Sequence, residues 1–150
     1  MSKREVVIKR AAEMIAELGV KSLRVDDLAH DLAVSKRTLY EMFGDKEELL
    51  YHSIKYLLQT EAVEIQANAT KSQSGIPALL MIFDQMMARG VVRKRIMENL
   101  AKFYPELYER IMTENRDYGL AVLREKLMAF VKEGLISKMV NIDLSITMFY

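Results

Sequence analysis

The 150-residue chain has no cysteine and no tryptophan, and only two histidines and two prolines. Without cysteine there can be no disulfide, no thiolate nucleophile and no cysteine-based metal site. His30 and His52 alone offer imidazole, and they show none of the spacing of a metal site or a catalytic triad. A run of about eighteen apolar residues is also missing, so no transmembrane helix is expected. The opening MSKREVVIKR leads straight into an amphipathic pattern rather than a secretory signal, which predicts a cytoplasmic protein. Strand-like alternation bounded by hairpin turns is absent, and that leaves an all-α fold. Nothing calls for a cofactor or a metal. Charge gives no global sign of a nucleic-acid partner either: the net charge is +1, and residues 1–60 hold ten Lys or Arg against ten Asp or Glu. The cations are nonetheless grouped, at Lys3, Arg4, Lys9 and Arg10, at Arg24, at Lys36 and Arg37, and at Lys46. A local patch can serve a polyanion even in a neutral domain.

Apolar side chains are plentiful, 51% of the chain, and they recur at helical spacing. Val7, Ala11, Met14, Ile15 and Leu18 form one stripe ended by Gly19, which predicts a first helix over about residues 4–18. The most informative stretch is Ser22–Leu50, SLRVDDLAHDLAVSKRTLYEMFGDKEELL. Val25, Leu28, Ala29 and Leu32 fall at i, i+3, i+4 and i+7, a short helix of about two turns. Ser35 suits the N-cap of a second helix that starts at Lys36. With Leu39 turned inward and about 100° per residue, Phe43 also faces inward, Arg37 and Glu41 face outward, and Thr38 and Tyr40 lie on the flanks. Such an outer face suits a DNA major groove, where Arg or Lys reaches guanine O6 and N7 and hydroxyls meet phosphate oxygens. Gly44 can close this helix in a left-handed conformation, and Asp45 with Glu48 forms a D-x-x-E capping box for the next. Lys46 in that first turn opposes the helix dipole, so a phosphate would be a fitting partner; the plain alternative is a solvated lysine.

These residues resemble the TetR family of bacterial transcriptional regulators, whose signature joins a helix-turn-helix to T-L-Y-x-x-F, a short turn and K-x-x-L. Here it stands as Thr38-Leu39-Tyr40-Glu41-Met42-Phe43, Gly44-Asp45 and Lys46-Glu47-Glu48-Leu49, within a match over about residues 5–50. The resemblance implies a three-helix DNA-binding domain over residues 1–50, joined by a connector helix to a ligand-binding and dimerisation bundle over residues 51–150. It also implies a sequence-specific repressor, a homodimer on an inverted repeat in double-stranded DNA, released by a small apolar or aromatic ligand. The expected DNA contacts are Arg24, Ser35, Lys36, Arg37, Thr38, Tyr40 and Lys46, with Lys36 and Arg37 at base edges and Thr38, Tyr40 and Lys46 on the backbone. Two positions depart from the family: Ala33 stands where glycine is common, and Arg24 near a usual Thr or Ser cap. Either Ser22 caps one step early or Arg24 trades the cap for a phosphate contact.

Further along, a connector helix should run from Lys46 through Leu49, Leu50, Ile54, Leu57 and Leu58 toward Ala69, followed by a polar loop from Thr70 to Gly75. Pro77 fits the first turn of a fifth helix over about 77–89, apolar on most of its circumference and therefore buried. Beyond Gly90, Arg93-Lys94-Arg95 opens another stretch and reads as a solvated face rather than a second DNA contact. Pro105 opens a long helix to about Leu135, with Gly119 inside and Gly134 near its stop; Asn141 or Asp143 caps a last helix. The apolar pattern is still running at Tyr150, whereas the family pairs its subunits through two last long helices. The resemblance thus implies either a longer natural product or a form that pairs weakly. A ligand cavity is expected from Met81, Phe83, Met86, Met87, Phe103, Tyr108, Met112, Asn115 and Tyr118, with plain core packing as the competing reading for each.

Two other classes compete with the regulator. One is a helical protein-interaction module with weak or lost DNA binding, which the balanced charge of residues 1–60 would suit. The other is an all-α enzyme built on His52, Glu98 and Asp84, which show no spacing of a known catalytic constellation.

Overall fold

In the computed structural model, which describes the backbone of residues 1–71 and 76–147, most helices begin at the cap their sequence offers. Helix α1 (Lys3–Leu18) opens with a complete capping box: Glu5 N–H donates to Ser2 Oγ at 3.2 Å, and Ser2 N–H donates to Glu5 Oε2 at 2.7 Å. A 3-10 turn (Val20–Ser22) leads to α2 (Val25–Asp31). Ser35 caps α3 (Lys36–Phe43) by accepting from Thr38 N–H at 3.0 Å, and Asp45 caps α4 (Lys46–Lys71) by accepting from Glu48 N–H at 2.8 Å. Helix α5 covers Ile76–Phe103, α6 covers Pro105–Lys132 with its proline in the first turn, and α7 covers Ile142–Thr147, where Asn141 Oδ1 accepts from Leu144 N–H. Among the described residues there is no strand, so the fold is all-α as expected.

One element differs from its expectation. Gly90 does not end a helix at about 89; α5 continues through it to Phe103. An interior glycine costs only about 1 kcal/mol relative to alanine, less than the buried contacts of Ile96 and Leu100 on the same helix return. Thr70 and Lys71, expected in a loop, close α4, while the rest of that loop lies outside the described residues.

Helix α4 holds the pieces together. It lies along α1 and also touches α3, α5 and α6, and its Leu49, Leu50, Ile54 and Leu58 are buried. One apolar cluster runs from Val7 and Ile15 of α1, through Leu28 of α2 and Leu39 and Phe43 of α3, to Ile96, Leu100, Leu107 and Ile111 of α5 and α6. The helix-turn-helix therefore shares its core with the start of the bundle.

The turn between α2 and α3 forms without glycine. Val34 N–H donates to Ala29 C=O at 2.9 Å and Ala33 N–H to His30 C=O at 3.1 Å, the two bonds of a Schellman motif whose left-handed position is Ala33, at φ 51°. The same motif ends α6 with Gly134 at φ 77° in that position. An L-residue pays roughly 1–2 kcal/mol for this conformation, partly offset because glycine would gain freedom in the unfolded chain. Ala33→Gly should therefore stabilise the protein by roughly 0.5–1 kcal/mol and raise the thermal midpoint by about 2–4 °C. Calorimetry of the two proteins checks this, and a lower midpoint for the glycine variant would show that the turn carries no strain.

Candidate nucleic-acid interface

The geometry of α3 follows from its two anchors. Leu39 and Phe43, four residues apart, are buried against the core, which turns the opposite side of the helix to solvent. On that side Arg37 is 87% exposed, Lys36 and Glu41 are also exposed, Tyr40 is 40% exposed, and Thr38 sits half-buried on the flank. Ser35 Oγ, besides capping, lies 2.8 Å from Thr38 Oγ1. The inward and outward faces are those expected from the spacing.

Neither cation of α3 stands alone. Lys36 Nζ lies 2.9 Å from Asp26 Oδ1 and donates to Oδ2 at 3.0 Å, and the Asp26 carboxylate holds the ammonium above its ordinary pKa. Arg37 Nε donates to Glu41 Oε1 at 2.8 Å. Arg24 is exposed at the N-cap of α2 without a side-chain cap bond, and the 3-10 turn occupies Ser22, so α2 starts at Val25 and has no cap from either residue. Lys46 is half-buried, its ammonium 5.9 Å from the centre of the Tyr104 ring at the start of α6. Arg10 pairs with Asp31, tying α1 to the end of α2.

Behind this face a polar cluster joins α4 to α6. Arg110 pairs with Glu48 and stacks over the Tyr51 ring, 3.6 Å from its centre. Tyr51 O–H donates to Glu114 at 2.7 Å, and Lys55 Nζ donates to Glu114 at 2.7 Å and to Tyr51 Oη at 3.0 Å. Lys55 and Tyr51 thereby hold the Glu114 carboxyl below its usual range. His52 lies 3.6 Å from Glu48, with the Tyr51 and Phe43 rings at 5.1 and 6.1 Å. Glu48 thus supplies its backbone N–H to Asp45 while its carboxylate serves Arg110, so only half of the expected capping box is used for capping. Sequence reading missed this cluster because Glu48 and Arg110 lie 62 positions apart, and Tyr51 and Glu114 lie 63 apart. Tyr51, Lys55 and Glu114 gave no local signal.

In the Arg93-Lys94-Arg95 run Lys94 and Arg95 are exposed, as expected of a solvated face, while Arg93 is half-buried, and Arg93 and Arg95 also reach other helices. Arg93 donates to Glu61 at 2.7 Å, Lys94 lies 3.8 Å from Glu98, and Arg95 donates to the Ala16 carbonyl at 2.9 Å, where a cation complements the C-terminal end of α1. Of the expected ligand-cavity residues, Met81, Phe103 and Met112 are 40%, 39% and 37% exposed and Tyr108 is half-buried. The side chains of Phe83, Met86, Met87, Asn115 and Tyr118 lie outside the described residues. A cleft of about 310 Å³ opens between α1 and α4, beside Lys9, Ala12, Glu13, Tyr56, Leu57 and Thr60, and none of the expected cavity residues lines it. Among the described residues no helix is long and apolar enough to cross a membrane, and no three His, Asp or Glu residues are placed to share a metal ion.

Comparison with known proteins places this geometry. Residues 7–52 match the family model of bacterial regulatory proteins, tetR family. A 63-residue stretch, 42% of this chain, is 30% identical to the HTH-type transcriptional regulator HbdR of Aromatoleum sp. (strain CIB), and covers 28% of that regulator's length. The whole fold is similar to that of the fatty acid degradation regulator FadR from Bacillus halodurans, with a TM-score of 0.70 and 18% identity over 99% of this chain and 78% of that one. It is also similar to AibR, solved in complex with isovaleryl coenzyme A and operator DNA, with a TM-score of 0.60 and 18% identity over 99% of this chain and 82% of AibR.

His52 supplies a test of the packing beneath the interface. Burial, and then the nearby Arg4 guanidinium, lower its pKa from the ordinary 6.5, against the opposite pull of Glu48. The folded state therefore keeps His52 neutral where the unfolded chain already takes up a proton. Its contribution to stability is complete above the unfolded pKa of about 6.5 and erodes as pH falls below it. Urea titrations at about pH 7.5 and 5.5 should show stability falling with pH in the parent protein, and His52→Gln should remove most of that fall. An equal fall in both proteins would exclude His52 as its source.

Proposed function

We propose that this chain, whose residues 7–52 match the model of the tetR family of bacterial regulatory proteins, is a repressor of that family that binds a specific operator through α3 and is released by a small apolar ligand. The observation that carries the reading is the orientation of α3: Leu39 and Phe43 are buried, so Lys36, Arg37 and Tyr40 project from a rigid support. In this reading residues 1–50 engage DNA and residues 51–150 sense the ligand and pair two subunits. Lys36 and Arg37 read base edges, while Arg24, Ser35, Thr38, Tyr40 and Lys46 hold the sugar-phosphate backbone. A single eight-residue helix reads only a few base pairs, so two copies on an inverted repeat supply the needed length of site.

The two domains communicate through α4. A ligand that binds differently to two arrangements of α6 changes operator affinity by that difference, and the Arg110–Glu48 and Glu114–Tyr51 contacts are where α6 grips α4. AibR, which shares the fold, was solved with isovaleryl coenzyme A and operator DNA, so compounds that carry a short branched acyl chain, free or as the thioester, are the first to try for the apolar part of the ligand.

Gel shifts on DNA from the chain's own promoter region test the DNA arm. Arg37→Ala should cost about 1–3 kcal/mol and relax preference at one base pair, whereas Lys46→Ala should weaken all sequences alike and lower the salt slope by about one. Light scattering should give a dimer and footprinting two half-sites. Equal losses on specific and random DNA for Arg37→Ala would refute its role, and a strict monomer protecting one half-site would refute the dimer. For the ligand arm, a thermal-shift screen of acyl-coenzyme A thioesters and aromatic acids should yield a stabilising compound that also releases DNA. Arg110→Met should keep the thermal shift and lose the release; a screen without any stabilising compound would leave a constitutive DNA binder.

A further inference from the structure

The carboxylates on the proposed DNA face need an explanation. Phosphates repel a carboxylate, and Glu41 lies on the outer side of α3, 59% exposed, one turn from the 87% exposed Arg37. An ion pair this open adds little to folding stability, so stability does not account for it. Its geometry is more informative. Glu41 engages Arg37 through Nε at 2.8 Å, which fixes the plane of the guanidinium and leaves the two terminal nitrogens to form a fork. That fork is the group that meets guanine O6 and N7 in a bidentate contact. We propose that Glu41 is a positioning residue for base readout: it holds the Arg37 guanidinium in its reading plane and cancels its charge toward phosphates.

This inference rests on the DNA-binding reading above. An unpaired arginine at the same place would be drawn to any phosphate and would add to binding on every sequence. Paired with Glu41, it contributes little attraction to the backbone and keeps its value for the one base pair where the fork fits. Lys36, paired with Asp26 from α2, shows the same economy of free charge, and residues 1–60 are balanced overall.

The test is selection of bound sequences from randomised DNA by the full chain, with Kd values on the selected and on random duplexes, for the parent protein, Glu41→Gln, Arg37→Ala and the double variant. Glu41→Gln should bind random DNA about two- to fivefold more tightly, since a repelling charge is gone, yet lose roughly fivefold or more of the preference at the Arg37 base pair. The double variant should match Arg37→Ala at that base pair. Unchanged preference in Glu41→Gln would overturn the proposal. So would a preference still altered by Glu41→Gln in the Arg37→Ala background, because Glu41 would then be reading cytosine N4 itself. If the parent chain enriches no sequence, the DNA-binding reading fails, and the proposal with it.

Discussion

The burial of one helix, α4, is the constraint on which the rest of the molecule depends. Leu49, Leu50, Ile54 and Leu58 are withdrawn from water on it, and the surfaces that cover them come from α1 on one side and from α5 and α6 on others. Exposure of four large aliphatic side chains would forfeit about 1.5–3 kcal/mol each, so the arrangement of α1, α5 and α6 around α4 is set by apolar burial before any polar contact is made. The orientation of α3 is a consequence, since Leu39 and Phe43 insert into the same cluster.

Polar contacts then refine that arrangement without being its cause. The Glu48, Arg110, Tyr51, Glu114 and Lys55 cluster sits at the edge of the core, where its charged members remain partly exposed and the Tyr51 ring is buried. Pairs in such positions are individually weak, but this one is a network with a stacked guanidinium and a shared carboxylate, which gives it directional demands that an apolar contact lacks. Apolar burial decides that α6 meets α4; the network decides in which register.

The parts of the molecule that were legible in the sequence are those governed by short-range rules. Caps at Ser35 and Asp45, the inward pair Leu39 and Phe43, the stops at Gly19, Gly44 and Gly134 and the start at Pro105 all depend on residues within a turn or two of one another. Gly90 misled because glycine near a helix end and glycine inside a helix differ only by what packs on either side, which is tertiary information. The role of Arg95 on the last carbonyls of α1 was invisible for the same reason: 79 positions separate it from Ala16. At the candidate interface, residue types and outward faces could be read from spacing, but the partner of Lys36 lies on another helix and the neighbour of Lys46 is Tyr104 at the base of α6. Spacing along one helix says nothing about either.

The unbroken course of α6 has a mechanical consequence. Arg124, which donates to Asp143 of α7 at 2.7 Å, lies fourteen residues beyond Arg110, or about 21 Å along a helix that has no interruption between them. A rod of that length tilting by about 5° around the Arg124 end carries the Arg110 end through about 2 Å, more than a hydrogen bond tolerates before it is lost. Leverage, and not any large rearrangement at the point where force is applied, is therefore enough to open or close the grip of Arg110 on Glu48.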